Sequence, residues 1–140
     1  MTQGYIIRIL LLLIGGAAIL ASAVLHGLIN VPHLREDMVE IGVRPSLFRA
    51  ISLVLYFSVV AMFAFAALIL GGAISLFRGK VPQVLPLWLI AGTYLIFGIV
   101  AYVKIGHSIH YLGYALMGIV VAMGAALISR GVGNGIRERA

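Results

Sequence analysis

The four histidines are the residues of this chain with the widest choice of chemistry. They are His26, His33, His107 and His110. A neutral imidazole can bind haem iron or a metal ion through a ring nitrogen, and near neutral pH it also exchanges protons. His107 and His110 are three residues apart, which on a helix places both side chains on one face. The chain contains no cysteine, so thiolate ligands, disulfides and thiol catalysis are excluded.

The composition is that of a membrane protein rather than a soluble domain. Hydrophobic residues make up 63% of the 140 residues and charged residues only 10%, whereas roughly a quarter of the residues of soluble domains are charged. The net charge of +6 is typical of positively charged loops beside lipid headgroups. There is no basic stripe with interleaved aromatic residues, so we expect a lipid bilayer and no nucleic acid as partner.

Four apolar stretches are long enough to cross a bilayer, which requires roughly 20 residues per helix. They cover about residues 6–30, 51–77, 86–104 and 108–129. Pro32 is expected to end the first helix, because proline disfavours helical geometry in the residue before it. The sequence therefore predicts an all-α integral membrane protein with a single domain over 1–140. We expect an up-down bundle of four helices and a flexible basic C-terminal tail at 130–140.

The end of the first apolar stretch also resembles a signal-peptide cleavage site, because residues 21–23 read Ala-Ser-Ala. However, Ala18, Ser22, His26 and Asn30 recur at every fourth position, as on one face of a helix. Small residues on such a face let helices approach closely. We therefore expect a retained membrane helix that turns His26 toward the bundle.

The loop between the first two helices, loop one, carries a further helical pattern. Leu34, Met38 and Ile41 are apolar at helical spacing, and the residues between them are mostly polar. This pattern predicts a short interfacial helix at about 33–41.

The distribution of positive charge predicts the orientation of the chain. Six Lys or Arg residues lie at the two ends and in the second loop, against four in the first and third loops. Positive residues favour the cytoplasmic side, so we expect both termini in the cytoplasm. The predicted location is the cell membrane, with the bacterial inner membrane as the simplest case.

This topology places all four histidines on the outer side, at the ends of the first and fourth helices. His26 and His110 lie deeper than His33 and His107, and ionisable groups inside a membrane span usually have a function. Tyr111, Tyr114 and Met117 follow His110 along one arc of the fourth helix. The sequence therefore predicts a cofactor site that includes these seven residues.

Two kinds of cofactor fit this set of side chains. Imidazoles from two helices of a bundle can take both axial positions of a haem iron, with His26 and His110 as the leading ligands. A metal ion with nitrogen and oxygen ligands is the second, held by His107, His110 and His26 with Asp37. Either cofactor would give the protein a membrane redox role. A further hypothesis is binding of a quinone or lipid headgroup with proton exchange at histidine.

A function of a different class is also compatible with the sequence, that of a non-catalytic subunit of a larger membrane complex. Small residues recur in the second and fourth helices, and predict contacts with another copy or with other subunits. On this hypothesis the histidines are polar groups of the subunit interface. The main alternative to a functional role for His26 is a structural hydrogen bond, for example to Ser52 or Tyr56 of the second helix. The sequence contains no Ser-His-Asp or phosphate-loop motif, and enzyme activity stays open.

Overall fold

Helices account for nearly the whole of the chain, with short connections between them. The computed structural model describes the backbone of residues 3–137 and the side chains of residues 3–131. The elements are α1 (Gln3–Leu25), a π-helical segment (His26–Asn30), α2 (Val31–Glu40), α3 (Pro45–Phe77), α4 (Val84–Lys104) and α5 (Ile109–Arg137).

Four helical stretches within the described residues are long and apolar enough to cross a membrane. They are Gln3–Glu40, which joins α1, the π-helical segment and α2, together with Pro45–Phe77, Val84–Lys104 and Ile109–Gly131. This confirms the prediction of an all-helical chain with four helices capable of spanning a membrane.

The helix ends follow local sequence signals. α3 begins at Pro45, earlier than expected, because proline is well suited to the first helical position. It ends at Phe77 as predicted, where Gly79 has a φ of 74° and Lys80 N–H donates to Ser75 O at 2.9 Å. A residue beyond a helix end often adopts this left-handed conformation, which glycine takes without strain.

The fourth predicted helix is longer than expected. α5 continues to Arg137, whereas the sequence pattern predicts an end at Ser129 and a basic tail over 130–140. Residues 138–140 of that tail lie outside the described part of the chain. The flexibility of the tail stays a prediction.

The prediction that Pro32 ends the first helix is wrong. Asn30 and Val31 both have helical backbone angles, and the chain continues through Pro32 into α2. The preceding residues form a π-helical turn, in which Val31 N–H donates to His26 O, five residues back. Proline lacks a donor and its ring meets the carbonyl four residues back, and we attribute its tolerance here to this wider turn. α2 covers most of the helix predicted at 33–41, but its place at the membrane interface stays a prediction.

α1 lies between α3 and α5. Gly16 of α1 is against Leu70 of α3, and Gly27 is against Val59, so the contacts run in opposite directions along the two helices. On its other side, Gly15 of α1 is against Val121 of α5. A Cβ atom at Gly15 or Gly16 would collide with a side chain of the neighbouring helix, and one at Gly27 would make a tight contact, which explains the close packing of α1.

α4 packs mainly on α5 and has few contacts with α3. A Cβ atom at Gly118 of α5 would lie 2.7 Å from Ala91 O and from Leu95 N of α4, so these two backbones almost touch. Gly98 of α4 lies equally close to the backbone of α5. Two glycines on facing helices thus set the separation of α4 and α5.

The buried core lies toward the end of the bundle where α3 connects to α4. It takes its α3 residues from the second half of that helix and its α4 residues from the first half. The largest fully buried side chains include Leu12, Ile19, Ile69, Leu87 and Ile128. At the opposite end, where α1 meets the π-helical segment, the space between α3 and α4 is not filled in this way.

Substitution of Gly118 by alanine tests the close packing of α4 and α5. The added methyl group would collide with the α4 backbone, so we expect Gly118→Ala to lower the free energy of unfolding by about 1–3 kcal/mol. Gly113 of the same helix is the matched control, because a Cβ atom added there would meet no heavy atom of a neighbouring helix within 4 Å. Gly113→Ala should therefore leave stability unchanged or raise it by up to about 1 kcal/mol. Unfolding in detergent, followed by circular dichroism, measures both; equal stability of the two variants would contradict this packing.

Candidate functional site

His26 begins the π-helical segment and hydrogen-bonds to α3. Its Nε2 atom lies 3.3 Å from Ser58 Oγ, and its Nδ1 atom lies 3.4 Å from Asn30 Nδ2. Ser58 Oγ also lies 2.7 Å from Leu55 O, to which it donates its hydrogen. The network therefore assigns the neutral tautomer in which Nε2–H donates to Ser58 and Nδ1 accepts from Asn30. Both ring nitrogens have a protein partner.

The hydrogen bond from His26 to the second membrane helix goes to Ser58 rather than to Ser52 or Tyr56. Ser52 is buried and has no hydrogen-bond partner among the described residues. Tyr56 accepts a hydrogen bond from Arg35 of α2 at 2.9 Å. The contact between Gly27 and Val59 sets the register that brings Ser58 beside His26, and composition and periodicity do not encode this register.

A cleft of about 310 Å³ lies next to the His26–Ser58 pair, between α3 and α4. Its walls are mostly apolar and include five phenylalanine or tyrosine rings. The lining residues are His26, Val54, Phe57, Ser58, Ala61, Met62, Phe65, Thr93, Tyr94, Phe97 and Tyr114. An apolar space with a few polar groups is the usual form of a small-molecule site.

Tyr94 of α4 is the buried polar residue of this cleft. Only 5% of its surface is exposed, and its hydroxyl has no hydrogen-bond partner among the described residues. Its ring packs against Phe65 at 6.3 Å and Tyr114 at 6.1 Å between centroids. A buried polar group without a partner costs about 1–3 kcal/mol, and buried tyrosine hydroxyls are usually paired. The sequence analysis missed Tyr94, although a tyrosine in the middle of an apolar span is a visible signal.

Tyr114 connects the cleft to the predicted histidine site on α5. It lines the cleft with His26, and the exposed ring of His110 packs edge-on against it, with 5.6 Å between centroids. No hydrogen bond joins His110 to His26 in the described part of the chain. Tyr111 contacts His110 outside the cleft, and Met117 packs against the core. The structure thus brings His26 and Tyr114 into one cavity and leaves His110 at its edge.

The remaining predicted ligands lie on the surface. His33 Nδ1 is 3.5 Å from Glu36 Oε2, one turn further along α2, and both side chains are exposed. His107 is exposed and packs against Tyr102, and Asp37 is exposed on α2. Within the described residues, no three His, Asp or Glu side chains are grouped to hold one metal ion. The metal set of His26, His107, His110 and Asp37 therefore stays a prediction without a common site.

Comparison of the chain with known protein families, curated proteins and solved structures finds no match. The functional proposal for this chain therefore rests on the site itself rather than on its fold. The cleft offers apolar walls, a hydrogen-bonded histidine and, among its lining residues, a tyrosine with a buried hydroxyl that has no partner among the described residues. These groups can hold a molecule that is mostly apolar and carries one or two hydrogen-bonding atoms.

Removal of the Ser58 hydroxyl tests the assigned hydrogen bond to His26. Ser58→Ala leaves His26 Nε2–H without its acceptor, so we expect a loss of about 1 kcal/mol in unfolding free energy. Ser129→Ala is the matched control, because Ser129 Oγ also donates to a carbonyl of its own helix, Ala125 O at 3.0 Å. The ¹⁵N NMR signal of the His26 ring should shift in Ser58→Ala and stay in place in Ser129→Ala. An unshifted signal in both variants would show that Ser58 does not bind His26.

Proposed function

We propose that this chain is a multi-pass membrane protein that binds a lipid-soluble small molecule in the cleft between α3 and α4. The observation that carries the proposal is the cleft itself, with its apolar walls, the His26–Ser58 pair and the buried hydroxyl of Tyr94. Small-molecule sites combine such an apolar lining with a few polar groups that orient the ligand. Polar groups inside a membrane span are costly, and their presence here is explained by a ligand.

The position of the cleft supports entry from the side, through the bilayer. Val54, Phe57 and Phe97 line the cleft and are also largely exposed, Phe57 to 72%, on the apolar outer surface of the helices. In a membrane this surface faces the acyl chains. A ligand dissolved in the bilayer could therefore reach the cleft between α3 and α4 without crossing the polar headgroups.

The same proposal includes the topology. We propose that the helices cross a bacterial inner membrane in up-down order, with both termini in the cytoplasm and α2 at the outer interface. The opposite directions of the α1–α3 and α4–α5 contacts support this order. The excess of Lys and Arg at the termini and in the second loop supports the orientation. On this orientation the histidine end of the cleft is nearer the outer side.

The cleft favours a lipid-soluble ligand over the haem and metal hypotheses. Both ring nitrogens of His26 have protein partners, so coordination of iron would require one of these hydrogen bonds to break. The haem hypothesis is tested by an absorption spectrum of the purified protein. A Soret band that is lost in both His26→Ala and His110→Ala but retained in His33→Ala would support haem instead.

Filling the cleft with a large side chain tests the proposed function. Ala61 lies at the middle of α3 and lines the cleft, so Ala61→Trp should occupy the space of the ligand. We expect at least a roughly tenfold loss of affinity for a decyl-substituted 1,4-benzoquinone, equivalent to about 1.4 kcal/mol. Native mass spectrometry of the protein released from lipid nanodiscs measures the bound fraction.

The matched control is Ala64→Trp, which adds the same side chain at an exposed position of α3 outside the cleft. This variant should bind the benzoquinone as the unchanged protein does. If Ala61→Trp fails to fold, Ala61→Phe provides a smaller obstruction. Equal binding in the folded Ala61 and Ala64 variants would refute the cleft as the binding site.

A further inference from the structure

The buried hydroxyl of Tyr94 makes no hydrogen bond to any described residue of the protein. Tyr94 is 5% exposed and lines the cleft, and its oxygen has no hydrogen-bond partner among the described residues. Ser58 and Thr93, which also line the cleft, differ in this respect, because Ser58 donates to Leu55 O and Thr93 donates to Leu89 O. Unpaired buried donors are rare in proteins, whereas oxygen acceptors tolerate incomplete pairing better. The missing partner of Tyr94 is therefore best supplied by a ligand atom that accepts a hydrogen bond.

The depth of Tyr94 restricts what this ligand can be. α4 has 21 residues from Val84 to Lys104, and Tyr94 is its middle residue. A helix of this length spans about 31 Å, which matches the hydrocarbon core of a bilayer. The backbone of Tyr94 thus lies near the midplane, about 15 Å from either interface. Phospholipid ester carbonyls stay in the interfacial regions and do not reach this depth.

We propose that Tyr94 donates a hydrogen bond to a carbonyl oxygen of a lipid-soluble quinone-type ligand held in the cleft. This inference rests on the proposed function and names the chemical class of its ligand. A quinone ring is uncharged and apolar enough to enter the hydrocarbon core, and its carbonyl oxygens accept hydrogen bonds. The rings of Phe65 and Tyr114, which pack against Tyr94, offer aromatic walls for such a planar ring.

The length of the cleft and its lateral opening fit the same class of ligand. Tyr94 packs beside Phe65, which lies seven residues after Ser58 on α3. About 10 Å of helix therefore separates the Tyr94 end of the cleft from the Ser58 end. A ring bound at Tyr94 can extend toward the His26–Ser58 pair, and its apolar tail can leave between Phe57 and Phe97 into the bilayer. The position of Tyr94 and the lateral opening thus match a ring with a carbonyl oxygen and an apolar chain.

The decisive experiment compares two ligands and two tyrosine variants. The ligands are a decyl-substituted 1,4-benzoquinone and decylbenzene, which has the same tail and a ring without acceptor atoms. Both are added to nanodiscs as the same mole fraction of lipid, and the bound fraction is measured by native mass spectrometry. The variants are Tyr94→Phe and the control Tyr102→Phe, which removes a hydroxyl from the same helix outside the cleft.

We expect Tyr94→Phe to weaken benzoquinone binding by roughly five- to tenfold, as expected for loss of one buried hydrogen bond. Decylbenzene binding should be unchanged, and Tyr102→Phe should alter neither ligand. Because Tyr94→Phe removes only an unpaired hydroxyl, the ligand-free variant should unfold at the same temperature as the unchanged protein or higher. The thermal stabilisation by added benzoquinone should be smaller in Tyr94→Phe than in the unchanged protein.

Three results would overturn the inference, and they separate it from the proposed function. Unchanged benzoquinone binding in Tyr94→Phe, with binding still blocked in Ala61→Trp, leaves the cleft as a binding site and removes the role of the hydroxyl. Equal loss of both ligands in Tyr94→Phe means that Tyr94 acts through the shape of the cleft. Absence of binding of either ligand to the unchanged protein overturns both proposals.

Discussion

The close approach of backbones at small residues is the constraint on which the rest of this structure depends. In lipid, apolar side chains gain little by leaving acyl chains for one another, so helix pairs form where their surfaces fit. Gly98 and Gly118 bring α4 onto α5, and Gly15 and Gly16 seat α1 between α5 and α3. α3 therefore packs mainly against α1, whereas α4 packs mainly against α5. The cleft is the space left between two helices that are neighbours in sequence but not close-packed in the bundle.

The helices follow from the sequence because hydrophobic length and end signals are local. The ends of α3 and α4 at Phe77 and Lys104 agree with the predicted spans. Pro32 shows where a local rule fails, since the effect of proline depends on the turn that precedes it. The wider turn at His26–Asn30 accommodates the ring of Pro32, and no residue type in that segment predicts a π-helical turn.

Two residues of the predicted site, His26 and Tyr114, line one cavity, and their role in binding a cofactor stays a prediction. Ser58 and Tyr94 were not foreseen, because their roles depend on the register and separation of helices. His33 and His107 were predicted to join the site because they lie at a similar depth in the predicted topology. Both side chains are instead exposed outside the cleft, since similar depth does not bring side chains together across a bundle. The sequence shows which residues could bind a ligand or exchange a proton. Which of these residues lie next to one another depends on how the helices pack.

The π-helical segment also fixes the phase of the helix that follows it. Gly16, Ala23, Val31 and Met38 are all buried, at intervals of seven, eight and seven residues. An uninterrupted seven-residue repeat from Gly16 would instead place Asn30 and then Asp37 on the buried face. The one additional residue taken up by the turn at His26 keeps the Asp37 carboxylate in the exposed set and Met38 inside. His26, which borders the cleft, thus also begins the turn that determines which face of α2 is buried and which face is exposed.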